Sequence, residues 1–250
     1  MSIDRDQNSL QHTHPQVKMA QDELKLLGAW ASSFVIRVRM MLEEKGLSYE
    51  YIEQDVFNKS ELLLKHNPVH KKVPVLIHGD HDICESLVIL QYIDEKWSGT
   101  GPPFLPIDPY DRAIARFWAV YIDDKLLSSF IGILKAATEE AKAEKIADTH
   151  AALEQLEGSF KKCSAGKAFF GGDSIGYLDV TLGSLLGWIK TAERISGAKL
   201  LDEAKVPLLV DWAKRFLALD CAKKTIPTVE RIEKYARELQ ATRWKVSTAN

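Results

Sequence analysis

Two rhythms of apolar and polar positions run along this chain, and the point where one gives way to the other divides it. In the first third the period is short and often interrupted. Glu23-Leu24-Lys25-Leu26-Leu27-Gly28 partly alternates and predicts a strand that runs into the small-residue turn Ala29-Trp30-Ala31-Ser32-Ser33-Phe34. Val35 to Lys45 repeats at helical spacing, and Gly46 ends it where a left-handed residue is wanted. Ser48 to Glu53 alternates as a second strand. Strand, helix and strand joined at this length form a βαβ unit, with parallel strands and a right-handed crossover. Ser60 to His66 predicts a short helix ended by Asn67-Pro68. A hairpin follows (Val75-Leu76-Ile77, a polar turn, Ile83-Cys84), then a helix from Leu87 to about Trp97.

The stretch Ser98 to Pro106 is dense in glycine and proline and reads as a linker. Beyond it every long segment has the helical period: Asp108 to about Glu140, Lys142 to Lys162, Tyr177 to Ile195, and two more begun by Pro207 and Pro227. The expected organisation is a βαβαββα unit at 22–98, a linker at 99–107 and an all-helical unit at 108–250. Residues 1–21 are expected to be a disordered extension. Their acidic Asp4 and Asp6 and lack of an apolar stretch fit neither a secretory signal nor a transit peptide, and Met19 is a candidate alternative start.

A length of 250 residues allows one large or two small domains, and 46% hydrophobic with 27% charged residues is ordinary for a globular protein. The net charge of −2, with dispersed basic residues, argues against nucleic acid as a partner. No apolar run reaches the length of a membrane span. Cys84, Cys163 and Cys221 are far apart and form neither a disulfide framework nor a metal-ligand spacing, so a reducing, cytoplasmic setting and no metal site are expected.

Candidate chemistry concentrates in Lys72-Val73-Pro74-Val75-Leu76-Ile77 and Ile83-Cys84-Glu85-Ser86. Pro74 stands at a strand's first position and pushes Val73 to an extended conformation, leaving the Val73 backbone free to pair with an extended peptide. Ser86 reads as the N-cap of the next helix, whose N-terminal N–H groups suit a carboxylate. Glu85 suits an ammonium. On the residues alone, an ordinary hairpin with a capped helix fits equally well. Ser32 lies where a strand ends and a helix begins; on the residues alone Ser32 and Ser33 read as caps. Gly176 fits an N-cap, Asp179 falls three residues on, and Ile175 with Val180 fit a hydrophobic staple; together they read as a folding element.

Several motifs carry a resemblance. The V-P-x-L strand followed by E-S resembles the glutathione site of the cytosolic glutathione transferases. W-x-S-x-F-x-x-R-V-R from Trp30 to Arg39, Glu44-Lys45-Gly46, the I-C-E-S motif and Arg112-Ala113 with Arg116-Phe117-Trp118-Ala119 resemble the plant tau class, over Asp22 to about Arg243. That resemblance implies a thioredoxin-like N-terminal domain followed by an all-helical domain, a homodimer, and glutathione as co-substrate with no permanently bound cofactor. It implies that Ser32 is catalytic, its hydroxyl favouring the glutathione thiolate. Lys59 and Lys72 then meet the glycine carboxylate, Val73 and a cis Pro74 the cysteinyl part, and Glu85 with Ser86 the γ-glutamyl group. Ala31 and Ser33 depart from common prolines, and Gly176 from a serine or threonine. The resemblance also implies an electrophile site lined by Phe34, Leu127, Ile131, Trp188, Tyr235 and Leu239, residues whose helical spacing otherwise reads as core. Leu127 and Ile131 replace a common Tyr and Arg, so this pocket is expected to be unusually apolar.

Three functions compete. A conjugating enzyme would send the thiolate against hydrophobic electrophiles by halide displacement or addition to an activated alkene, with side activity on organic hydroperoxides and a detoxification role. A thiol–disulfide oxidoreductase needs a cysteine where Ser32 stands. A ligand carrier would need none of the retained site residues.

Overall fold

The short-period third folds as a four-stranded sheet, and the helical remainder packs against it. A computed structural model describes residues 23–244; the expected extension at 1–21 and Met19 lie outside the described residues. Strands β1 (Leu24–Gly28), β2 (Glu50–Glu53), β3 (Val75–His78) and β4 (His81–Cys84) lie in the order β2-β1-β3-β4. β1 and β2 are parallel, joined through helix α1 (Ser33–Glu44); β3 runs antiparallel to β1 and β4. Gly46 takes the left-handed conformation behind α1, with φ +63°. Helix α2 (Glu61–His66) precedes β3, and α3 (Ser86–Lys96) follows β4.

Successive β1 residues face opposite sides of the sheet. Leu26 joins the main core with Val35, Met40, Ile89 and Leu90, and this core continues without interruption into the helical region. Leu27 joins a smaller cluster with Leu63, Val75 and Ile77, beneath α2. The linker is anchored: buried Lys45 pairs with buried Asp94 at 3.1 Å, and Asp94 accepts the N–H groups of Phe104 and Leu105. A buried pair with its remaining valences filled in this way ties the glycine- and proline-rich stretch to the first domain.

The helical region comprises α4 (Pro109–Tyr121), a π-helical turn (Ile122–Leu127), α5 (Ser128–Lys135), α6 (Glu139–Cys163), α7 (Tyr177–Gly183), α8 (Leu186–Ser196), α9 (Pro207–Leu217), α10 (Asp220–Thr225) and α11 (Val229–Thr242). Four expectations are corrected. The helix expected from Asp108 to Glu140 stops at Lys135, because Ala136 is extended and Thr138 starts a new helix by accepting the Ala141 N–H at 3.1 Å. The helix expected from Tyr177 to Ile195 breaks at Ser184, whose hydroxyl donates to Thr181 O at 2.8 Å. Pro227 lies outside its helix, immediately before the capping Thr228. The short α10 was not expected.

Of the expected cap at α7 the Asp179 half forms: Asp179 accepts the Gly176 N–H at 2.8 Å, while glycine has no side chain to cap the helix in return. Asp179, fully buried, accepts N–H groups from Phe170, Gly171 and Gly176 and from the Trp212 indole, at 2.7–2.9 Å. Burial pushes its carboxyl up to about 6, against the pull of those four donors. Among the described residues no helix is long and apolar enough to cross a membrane.

Candidate active site

Strand register alone brings the N-terminal candidates to one end of the sheet. Gly28, the last residue of β1, is paired with Glu53, the last of β2. Leu27 is paired with Val75, the first of β3, and Val75 with Cys84, the last of β4. The serine turn after β1, the loop carrying Lys59 after β2, Val73-Pro74 before β3 and Glu85-Ser86 after β4 therefore share one edge. A Cβ on Gly28 would stand 2.6 Å from Val35 Cγ1 and 2.8 Å from the Tyr51 ring, so only glycine lets α1 turn off the strand so tightly.

At this edge the polar groups are left open. Ser32 is the N-cap of α1 by backbone geometry, its carbonyl accepting from Val35 and Ile36, but its half-buried hydroxyl makes no capping bond. No acidic residue stands in the first turn of α1. The Val73–Pro74 bond is cis, and neither the N–H nor the C=O of Val73 has a hydrogen-bond partner among the described residues. Lys59 and Lys72 are exposed and likewise have no carboxylate partner there. Glu85, not Ser86, occupies the cap position of α3, correcting the expected cap; Ser86 is the first helical residue and is buried. Glu85 has φ +68°, a left-handed conformation that costs a non-glycine residue about 1–3 kcal/mol. Among the described residues its carboxylate, more than half exposed, pairs only with His70, at 4.0 Å.

The family models described as glutathione S-transferase N-terminal domain and C-terminal domain match residues 22–95 and 110–220. The chain belongs to the glutathione S-transferases. Glutathione S-transferase U18 of Arabidopsis thaliana is 50% identical over 221 residues, which cover 88% of this chain and 97% of that one. Probable glutathione S-transferase GSTU6 of Oryza sativa subsp. japonica is 48% identical, covering 91% and 98%. A tau class glutathione S-transferase from mango (Mangifera indica) has the same fold at TM-score 0.83 and 51% identity, over 87% of this chain and 98% of that one. Rice GST1, solved in complex with glutathione, superposes at TM-score 0.81 with 37% identity, over 89% and 98%. Among its relatives the transferase thus falls with the plant tau class.

One group in this transferase escaped the sequence reading. Arg37 is fully buried on α1; it grips Asp123 of the π-helical turn through two bonds of 2.7 and 2.9 Å and reaches Ser86 Oγ at 3.4 Å. Its Nε is buried and has no hydrogen-bond partner among the described residues. An arginine inside the apolar run Val35-Ile36-Arg37-Val38 was the available signal, since a charge on a core-facing helix has to be paired. Asp123 carried none: its reach depends on the wide π turn, a distortion frequent at functional sites.

The expected electrophile residues are less united. Trp188 is buried and donates its indole N–H to Ala31 O at 2.7 Å, bracing the serine turn. Tyr235 lies 6.3 Å from the Trp188 ring and 5.3 Å from Trp30. Phe34 instead faces the Arg37 guanidinium at 5.1 Å, Leu127 and Ile131 are half-buried against the core, and Leu239 is buried within it. A cavity of about 1050 Å³ between the linker, α4 and the loop before α7 contains none of the candidate site residues. Cys84 packs against the smaller cluster, its thiol pushed up chiefly by burial, as suits an inert cysteine.

Proposed function

We propose that the protein is a conjugating glutathione transferase in which Ser32 stabilises the glutathione thiolate. The observation that carries this is the Ser32 hydroxyl, held at a helix N-terminus and spent on no bond among the described residues. A free thiol has a pKa of about 8.5; a donated hydrogen bond and the helix dipole lower it, and the thiolate is the nucleophile. Glutathione would lie along Val73, with its glycine carboxylate at Lys59 and Lys72 and its γ-glutamyl group at Glu85 and Ser86. Arg37 is a positioning residue that holds Ser86 from behind. Displacement forms a carbon–sulfur bond as the carbon–halogen bond breaks and halide leaves with the electron pair; addition to an activated alkene forms the same bond and places the displaced pair on the activating group. Side activity on organic hydroperoxides and cytoplasmic detoxification belong to the same reading, with working boundaries at 22–98, 99–107 and 108–250.

The test is a conjugation assay with glutathione over chemically varied hydrophobic electrophiles. Turnover of at least one halide or activated alkene is expected; tight binding of apolar molecules with no turnover of any would favour a ligand carrier. A thiol–disulfide oxidoreductase is disfavoured by the serine, which cannot form a mixed disulfide.

A homodimer is part of the proposal. Tyr110, Ala113, Phe117 and Val120 form an exposed apolar stripe along α4, and Val88 is exposed on α3, to which Arg116 ties α4 through Gln91 at 2.8 Å. An unpartnered apolar stripe of this kind suits a two-fold interface. Sedimentation is expected to give a dimer at micromolar concentration, and monomer alone would refute the assembly.

A further inference from the structure

The aromatic residues flanking the serine turn carry an arginine with no carboxylate of its own. Arg231, in the first turn of α11, lays its guanidinium carbon 3.9 Å from the centre of the Trp30 ring. Tyr235, one turn further along the same helix, meets both Trp30 and Trp188. Trp188 is bonded to Ala31, the residue next to Ser32. An aromatic wall therefore runs from the serine turn to an exposed guanidinium.

The carboxylates at neighbouring positions are engaged elsewhere. Glu230 and Glu233 pair with Arg194 at 2.6 and 3.0 Å, and Glu233 also with Arg237 at 2.7 Å. Across the gap, Glu53 accepts the Trp30 N–H and the Tyr51 hydroxyl, while Asp55 accepts the N–H groups of Phe57 and Asn58. Among the described residues Arg231 makes no ion pair. A planar guanidinium stacked on an indole is held in place while its edge donors stay free for a planar anion.

We propose that Arg231 is a specificity-determining residue that selects aromatic electrophiles bearing a carboxylate. The carboxylate would pair with the guanidinium, the aromatic body would lie along Tyr235 and Trp30, and the reacting carbon would be turned toward the sulfur at Ser32. This rests on the reading of Ser32 as the thiolate end of the site. With Leu127 and Ile131 apolar, Arg231 supplies the charge recognition that the rest of the expected pocket lacks.

The experiment compares chlorodinitrobenzene with its carboxylated analogue, chlorodinitrobenzoate, as electrophiles for wild type, Arg231→Gln and Arg231→Lys. The readout is the ratio of kcat/KM, carboxylated over neutral, at low and high salt. Arg231→Gln is expected to lower that ratio about fivefold, the scale of one well-stacked but solvent-accessible ion pair, through KM for the benzoate. Arg231→Lys should retain part of the preference. The wild-type ratio should fall with added salt and that of Arg231→Gln should not. Equal ratios in wild type and Arg231→Gln would overturn the proposal. Binding of unreactive dinitrobenzoate, followed by tryptophan fluorescence, decides it without turnover: weaker binding to Arg231→Gln supports it and equal binding overturns it. If glutathione binds and neither electrophile is turned over, the Ser32 reading fails, and the binding comparison still judges Arg231.

Discussion

The helices α1 and α7 both begin behind a small residue, yet their N-termini are closed in different ways. At α7 the chain supplies the partners: Phe104 O accepts the Tyr177 N–H, and the buried Asp179 collects four donors, the Gly176 N–H among them. At α1 the Ser32 hydroxyl caps nothing, and the first turn holds no acid. The start of α3 resembles α1, with Glu85 strained and its carboxylate directed to solvent. A helix end in the core has to be satisfied by its own chain, because an unpaired buried N–H is costly. An end at the sheet edge can be left for a ligand to satisfy. The difference between a folding element and a binding element here is not the type of cap but whether the cap's partners are already present.

The sharpest way to break this contrast is Asp179→Ala, which strands three buried donors, on Phe170, Gly176 and Trp212, besides the part-buried one of Gly171. A loss of at least about 3 kcal/mol in unfolding free energy is expected from denaturant titration, because each stranded buried donor costs about 1–3 kcal/mol. A loss below 1 kcal/mol would mean that the donors find other partners and that α7 is no more closed than α1. Ser32→Ala should do the reverse, sparing stability and glutathione affinity while slowing conjugation about ten- to more than hundredfold, the worth of one charge-assisted hydrogen bond. The kinetic pKa should rise toward that of a free thiol. Ser33→Ala is the control, expected to be nearly silent; activity lost in Ser33→Ala and kept in Ser32→Ala would reassign the serine.

At the third helix start, Glu85→Ala is expected to weaken glutathione binding about fivefold by calorimetry, since a carboxylate more than half exposed pairs with an ammonium for about 1 kcal/mol. Unchanged affinity would separate α3 from α1 and move the γ-glutamyl site. The smallest effect lies in the pH dependence of the closed end. With Asp179 at about 6 when folded and near 3.9 when unfolded, the folded state holds the extra proton between those values. Its contribution is therefore fully present below the unfolded value and is lost as pH rises through 6. Acidification from about pH 7 to 5 should favour the wild type over Asp179→Asn by about 1 kcal/mol relative to their difference at neutral pH. An unchanged difference would show that the carboxyl stays ionised across that range.

Much of the candidate site's placement was legible because it is written in short, local chemistry. Pro74 forces its neighbour Val73 to extend, Gly46 ends α1, and the strand lengths fix a register that carries four separate loops to one sheet edge. The Gly176 N-cap with Asp179 three residues on was readable for the same reason. Element boundaries in the helical region were less so. A helical period runs on through Ala136 and Ser184, and the breaks depend on hydroxyls that take up backbone groups, Thr138 capping a new helix and Ser184 bonding back to Thr181.

Local pattern thus sufficed for the two-part architecture and for a serine at the head of α1, because strand period, turn residues and caps act over a few positions. What required the folded chain was the company each residue keeps. Arg37 meets Asp123 across 86 residues, Trp188 reaches Ala31 across 157, and Arg231 comes to rest on Trp30 from the far end of the chain. Spacing along a sequence carries no information about such pairs. They are set by how the helices pack on one another, and packing follows from the whole core.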